Sequence, residues 1–358
     1  MKETSLARNY SLDAARGILM MLGAFIHAAN IYSVADGWLI HDGNGNQIFD
    51  VLVKCIHTFR MPTFFWISGF FCAMTFERNG SEGLIRKRLP RILVPLIVTW
   101  ATLNTVQVAF LAGYRGQDVA GALQGGVPLY HLWFLVDLMV FIFFASMLLP
   151  LSTKMLTLRD RLESLPLAGV LAFLVLTSYL FSFAARSTGV AYDSILHLTT
   201  LFRLASYAPF FVIGVLMFGH EQLRQTFFRI PSIAMFFALP LSLFAQKFSH
   251  DGHAVVRECS HLVEILMAWI CVAAVLRLFH DLVNKESALA RFLSDSAYTV
   301  YLFHHIVVVV TGVLLLEYAL DYWLKFVIVC ILSIGSSMLI HVMLIRKSHV
   351  ARFLFNGK

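Results

Sequence analysis

Apolar residues along this chain gather into runs of about twenty, the length a helix needs to cross a bilayer core. Ten such runs can be read, at 14–34, 51–76, 91–113, 130–150, 166–186, 199–218, 231–248, 260–280, 294–316 and 323–345. The polar links between them are short, roughly 6 to 16 residues, and leave no room for a separate soluble domain. The pattern predicts an all-α integral membrane protein: about ten transmembrane helices in a single bundle, with residues 1–358 forming one membrane-embedded domain.

Composition agrees. Hydrophobic residues make up 59% of the 358 and charged residues 14%, against roughly 25% charged in a soluble domain. The basic residues then set the orientation. With the N-terminus inside, 19 of the 28 Lys and Arg fall on cytoplasmic segments, among them Lys2, Arg8, Arg78, Lys154, Arg159, Arg161, Lys285 and Lys358. Only six fall outside: Lys54, Arg115, Arg186, Lys247, Arg257 and Lys325. This alternation is the positive-inside bias, and it places both termini in the cytoplasm. The net charge of +7 is therefore topology and not a nucleic-acid signature. The first run is too long for a cleavable signal peptide. A disulfide between Cys55 and Cys259 is not expected, and no Walker or Rossmann glycine pattern opens a helix.

Function has to come from residues that a membrane disfavours. Ionisable side chains within the runs are costly there and mark candidate sites: Arg16, Arg60, Arg203, Asp137, Glu264 and the histidines His27, His57, His131, His261, His304, His305 and His341. At about 1.5 Å per residue, His27 and the pair His304–His305 fall near mid-membrane. Arg16 and His27 lie eleven residues apart, on nearly the same helix face. Asp13, one turn before Arg16, can pair with it. A central imidazole is a candidate general base, and a polar helix–helix contact is the competing explanation.

These residues carry a resemblance. Leu12-Asp13, Arg16 and His27 look like the first-span signature of the type-3 membrane acyltransferases. The stretch from His57 through Arg60, Phe64, Phe65, Ser68 and Gly69 looks like that family's second span, with its FF-x-x-SG core. The basic loop Arg86-Lys87-Arg88-Leu89-Pro90-Arg91, the His131-Leu132-Trp133-Phe134 opening of a later span and Tyr301-Leu302-Phe303-His304-His305 follow in the same order. The likeness covers nearly the whole chain. It is strongest to a branch associated with succinylation of osmoregulated periplasmic glucans. Ile306, where that branch often has proline, and Asp137, where an apolar residue is expected, depart from it.

The resemblance implies a bacterial inner-membrane enzyme. It would take an acyl group from cytoplasmic acyl-CoA, succinyl-CoA for this branch, and pass it to a hydroxyl of a periplasmic glucan. No permanently bound cofactor and no metal are implied. His27 would act as general base or as acyl relay, with Arg16, Asp13 and His304 beside it in the catalytic set. Ser68, Trp133 or His304 would supply an oxyanion donor. Arg86, Arg88 and Arg91 would meet the donor's phosphates, although any inner loop of a membrane protein is basic. Arg60 suits the free carboxylate of a succinyl group, and an internal pair with Asp137 or Glu264 would explain it equally. His57, His131, Trp133 and Arg203 would line the acceptor entrance, while Trp38 and Tyr130 read as interface anchors. Because consecutive residues point about 100° apart on a helix, one of His304 and His305 is expected to face His27 and the other to pack elsewhere. Membrane lipid is the remaining partner, and the oligomeric state is open. A proton-coupled transporter or flippase is the rival class, since it too would bury ionisable groups.

Overall fold

The computed structural model describes residues 10–35, 38–151, 164–283 and 287–357. Lys2, Arg8, Lys154, Arg159, Arg161, Lys285 and Lys358, used above for orientation, lie outside them.

The described chain is almost wholly helical. In order it forms α1 (Tyr10–Ile31), α2 (Gln47–Thr99), α3 (Thr105–Tyr114), α4 (Val119–Gln124), α5 (Trp133–Leu148), α6 (Leu167–Ser187) and α7 (Leu201–Met217). There follow α8 (Glu221–Phe227), α9 (Met235–Gln246), α10 (Ala254–Leu282), α11 (Ala288–Leu316), α12 (Tyr322–Ile340) and α13 (His349–Asn356). A two-residue antiparallel ribbon, β1 (Ser194–Ile195) with β2 (Thr199–Thr200), precedes α7 and pairs Ser194 with Thr200.

Seven helical segments are long and apolar enough to cross a membrane, or eight if the bent pair Glu221–Phe227 and Ser232–Gln246 is one span. All ten predicted runs fall on helices, yet two of them, 51–76 and 91–113, share the unbroken segment Gln47–Tyr114. That segment turns back on itself at Gly80 (φ 65°, ψ −173°), a backbone conformation open to glycine and closed to most other residues. In a straight helix the 17 residues from Phe71 to Arg88 would span about 25 Å. Instead, Arg88 Nη2 donates to Phe71 O at 2.8 Å and to Thr75 Oγ1 at 2.8 Å. The two arms of α2 are thus a hairpin, and Arg88 clasps it near the turn.

Small residues let the helices approach closely, as expected where lipid offers no hydrophobic drive to association. α1 packs closely on α11 at Gly17, where a methyl group would lie 3.1 Å from the Leu293 carbonyl. The tightest crossing joins α2 to α7. A methyl on Gly69 would lie 2.0 Å from Phe211 O, and one on Gly214 would lie 2.0 Å from Trp66 O. The glycine of the SG pair read in the second span is therefore a packing device, while Ser68 lines a cavity described below. Because the opposing atoms are backbone, Gly69→Ala must push the helices apart, and overpacking of this kind costs about 3 kcal/mol. A lowered thermal midpoint of the detergent-solubilised protein is the expected reading; an unchanged midpoint would show that the crossing is looser than described.

Between α1 and α2 the chain is tied down from both sides. Asp42 N donates to Ile31 O at 2.8 Å, and the Asp42 carboxylate pairs with Lys325 Nζ at 2.7 Å, both side chains being almost fully buried. This tie fixes the loop that carries Trp38. All five cysteines are unpaired.

Candidate active site

One face of α1 organises the site. Arg16, Met20 and His27 follow one another along it, and they line two neighbouring cavities.

The first cavity, about 200 Å³, is basic at its mouth. Arg16, Ser68, Arg88 and Arg91 line it together with Tyr298 and Asn356. Arg16 pairs with Asp13 at 3.2 Å, and its Nη2 donates to Ser294 Oγ at 3.2 Å. The guanidinium also lies 5.6 Å from the Phe71 ring centroid. Asp13 lines neither cavity, so it positions Arg16. Arg91 is held from behind, its carbonyl accepting from Tyr298 Oη at 3.1 Å. Arg86 is exposed and lines neither cavity, which corrects the expectation that it shares a donor site with Arg88 and Arg91. Arg88, largely committed to Phe71 O and Thr75, braces the hairpin as much as it faces the cavity.

The second cavity is small, about 40 Å³, and sets ionisable side chains among apolar ones. His27, His57, Arg60, His131, Trp133 and Tyr301 line it, with Met20, Phe64 and Phe134. Those last three residues line the first cavity as well, so the two spaces adjoin there.

Four imidazoles meet at its edge. The His27 ring lies 4.7 Å from His305, 5.4 Å from His304 and 6.5 Å from His131, centroid to centroid. Both members of the His304–His305 pair therefore approach His27, against the expectation that one would pack elsewhere. The two point apart along α11, but His27 lies between their directions. Their far sides are fixed by hydrogen bonds. His304 Nδ1 donates to Val300 O at 2.9 Å, and His305 Nδ1 donates to Gln107 Oε1 at 2.8 Å. A neutral ring whose Nδ1 carries the proton presents Nε2 as a lone pair. His304 Nε2, His27 Nδ1 and both ring nitrogens of His131 are buried without a partner. Buried polar atoms are normally satisfied, and a cluster of exceptions marks a place built for something else. Among the described residues no three His, Cys, Asp or Glu converge closely enough to hold a metal ion.

Arg60 sits inside this group. Its Nε donates to Leu19 O at 2.8 Å, and Gly23 makes room for its outer end. A methyl on Gly23 would lie 2.6 Å from Arg60 Nη2 and 3.2 Å from His304 Nε2. Among the described residues Arg60 has no carboxylate partner. Asp137, one of the two expected, is taken by Arg203, whose Nε bonds Asp137 Oδ2 at 2.8 Å, while Thr199 Oγ1 donates to Oδ1 at 2.6 Å. The other, Glu264, has a buried Oε1 with no partner. Arg203 itself does not line the cavity. It stacks over Trp133, with 4.7 Å from Cζ to ring centroid, and so steadies that indole from the outside.

Several residues here were not singled out by the sequence. Trp38 and Tyr130 are not plain interface anchors: Trp38 stacks on His27 at 6.0 Å and Tyr130 on His305 at 5.3 Å. Gln107 orients His305, and Tyr301 Oη donates to the His131 carbonyl at 2.7 Å. Gln107, Tyr130 and Tyr301 act on elements far away in sequence, and Trp38 reaches the adjacent helix only because its loop folds back.

An acyl-transfer reading of this geometry meets an independent observation. Residues 9–342 match the Acyltransferase domain family of the type-3 membrane enzymes. The chain belongs to that family. This acyltransferase is also 26% identical to the Glucans biosynthesis protein C of Escherichia coli O1:K1 and of Escherichia coli K12, over 388 aligned positions that cover 100% of this chain and 97% of theirs. No solved structure matches it.

Proposed function

We propose that this acyltransferase moves a succinyl group from an acyl-CoA donor, entering at the first cavity, to a hydroxyl of a glucan, entering at the second. In this reading the chain is one domain of ten spans in the bacterial inner membrane, both termini are cytoplasmic, and the donor and acceptor sides face cytoplasm and periplasm. The relatives' name supports a glucan acceptor. The observation that carries the reading is the meeting of the two cavities at Met20, Phe64 and Phe134, with unpaired imidazole nitrogens on the far side.

His27 takes the proton of the acceptor hydroxyl as its oxygen attacks the thioester carbonyl. The C–S bond breaks, the new C–O bond forms, and the leaving thiolate accepts a proton to leave as free coenzyme A. Arg60 and Trp133 face the space where charge develops on the carbonyl oxygen and on the acyl tail. Arg16 and Ser68 hold the arm of the donor below. Trp133 and His57 meet the sugar, the indole by stacking and the imidazole by hydrogen bonding.

Purified protein in detergent, given succinyl-CoA with and without periplasmic glucan, tests this. Glucan-dependent release of free thiol, with succinate recovered in ester linkage on the glucan, is the expected result. No thiol release by a demonstrably folded protein, from either succinyl or acetyl donor, would defeat the proposal.

A further inference from the structure

The first cavity has a neighbour that the catalytic reading does not use. Between the start of α11, the turn after α12 and the terminal helix α13 lies a wide vestibule of about 680 Å³. Arg291, Arg346, Arg352 and His341 line it, with Asp295 and Asn356. Asp295 and Asn356 also line the first cavity, so the two spaces adjoin.

α13 is seated firmly enough to serve as a wall. Phe355 packs on Phe303 with ring centroids 4.9 Å apart. Gly357 (φ 62°) closes the helix so near the α2 hairpin that a methyl on it would lie 2.3 Å from Arg91 Cα. Asn356 Oδ1 is buried without a partner at the boundary of the two spaces.

Size and charge divide the labour. At about 200 Å³ the first cavity is smaller than the roughly 300–1,000 Å³ that drug-sized ligands occupy, whereas the vestibule falls within that range. The hairpin contributes few free donors, since Arg86 is off the site and Arg88 is tied to the α2 backbone. Arginines suit phosphate oxygens bidentately, and Arg346 and Arg352 line the vestibule, one Arg352 nitrogen donating to Arg346 O at 2.7 Å.

We infer that this vestibule is the subsite for the phosphate-bearing nucleotide end of the donor, with the thin pantetheine arm alone threading the first cavity. The inference rests on the acyl-CoA reading above. It places a donor-binding role on the C-terminal helix, on Arg346 and Arg352.

The double variant Arg346→Gln/Arg352→Gln tests it with two donors carrying the same acyl group, acyl-CoA and acyl-pantetheine. The expected result is at least a tenfold rise in KM for acyl-CoA, with KM for acyl-pantetheine and both kcat values unchanged. The matching Lys variant should recover most of the loss, which separates charge from folding. An unchanged KM for acyl-CoA, or an equal rise for both donors, would overturn the assignment. A membrane phosphate is the other source of the same chemistry. In nanodiscs, a loss common to both donors that tracks anionic phospholipid content would assign the vestibule to lipid and also overturn it. Calorimetry with adenosine 3′,5′-bisphosphate stands apart from turnover. Binding by the wild type that the Gln variant lacks upholds the vestibule even if the acyl-transfer reading fails, and no binding by the wild type rejects it.

Discussion

Replacing His27 with alanine should reduce glucan-dependent thiol release by about 10²- to 10⁴-fold, the usual contribution of a positioned general base. The fold should survive. His27 is only partly buried, its Nδ1 has no partner to orphan, and the close backbone approach of α1 to α11 at Gly17 lies well along the helix from it. An unchanged thermal midpoint with lost turnover is therefore the expected combination. If His27→Ala keeps more than a tenth of wild-type turnover, the base lies elsewhere in the cluster. His131 would then be the first suspect, because both of its ring nitrogens are unpaired.

Arg60→Gln should act on one class of donor far more than another. A buried guanidinium with no carboxylate partner is expensive to keep in a membrane, and Leu19 O occupies only its Nε. The outer nitrogen points over Gly23 toward the imidazoles, where the free end of a dicarboxylic acyl group would lie. Removing one partner of a buried, hydrogen-bonded charge pair costs about 2–5 kcal/mol, and 1.4 kcal/mol is a factor of ten. Transfer from succinyl-CoA should thus fall by roughly 30- to 4,000-fold in kcat/KM. Transfer from acetyl-CoA, whose acyl group has no carboxylate to lose, should change by less than about threefold. Equal losses on both donors would mean that Arg60 serves the carbonyl or the fold, not the acyl tail.

What could be read in the sequence was what one helix shows by itself. The apolar runs fall on helices because their length is set by the bilayer and not by neighbours. Arg16, Met20 and His27 share a face because helical period alone puts them there. The Ser68–Gly69 pair came through the resemblance, while the physical reason for its glycine, a backbone crossing against Phe211 and Val215, needed the partner helix in view.

The rest depended on convergence between elements. His131 reaches the cluster from a short turn next to Tyr130, whose φ of 48° is rare for a side chain of that size and leaves no periodic trace. Trp38 meets His27 because Asp42 and Lys325 tie down its loop, a contact across 283 residues of chain. Two histidines in succession cannot both lie on one helix face, and that argument misled here only because the partner ring sits between them. Arg86 failed for the opposite reason: its spacing is right, but the hairpin at Gly80 turns Arg88 inward and leaves Arg86 outside.

The three apolar side chains between the cavities have an electrical consequence. Imidazoles separated by about 5 Å, as His27, His131, His304 and His305 are, form a natural relay for protons. A relay open at both ends would short-circuit the membrane potential, worth about 2.3 kcal/mol per charge for each 100 mV. Met20, Phe64 and Phe134, where the cluster's cavity adjoins the basic one, offer a proton nothing to bind. On the proposed reading an acyl chain would slide past such a barrier while a hydronium ion would not, and the residues that admit the cargo would also keep the membrane energised.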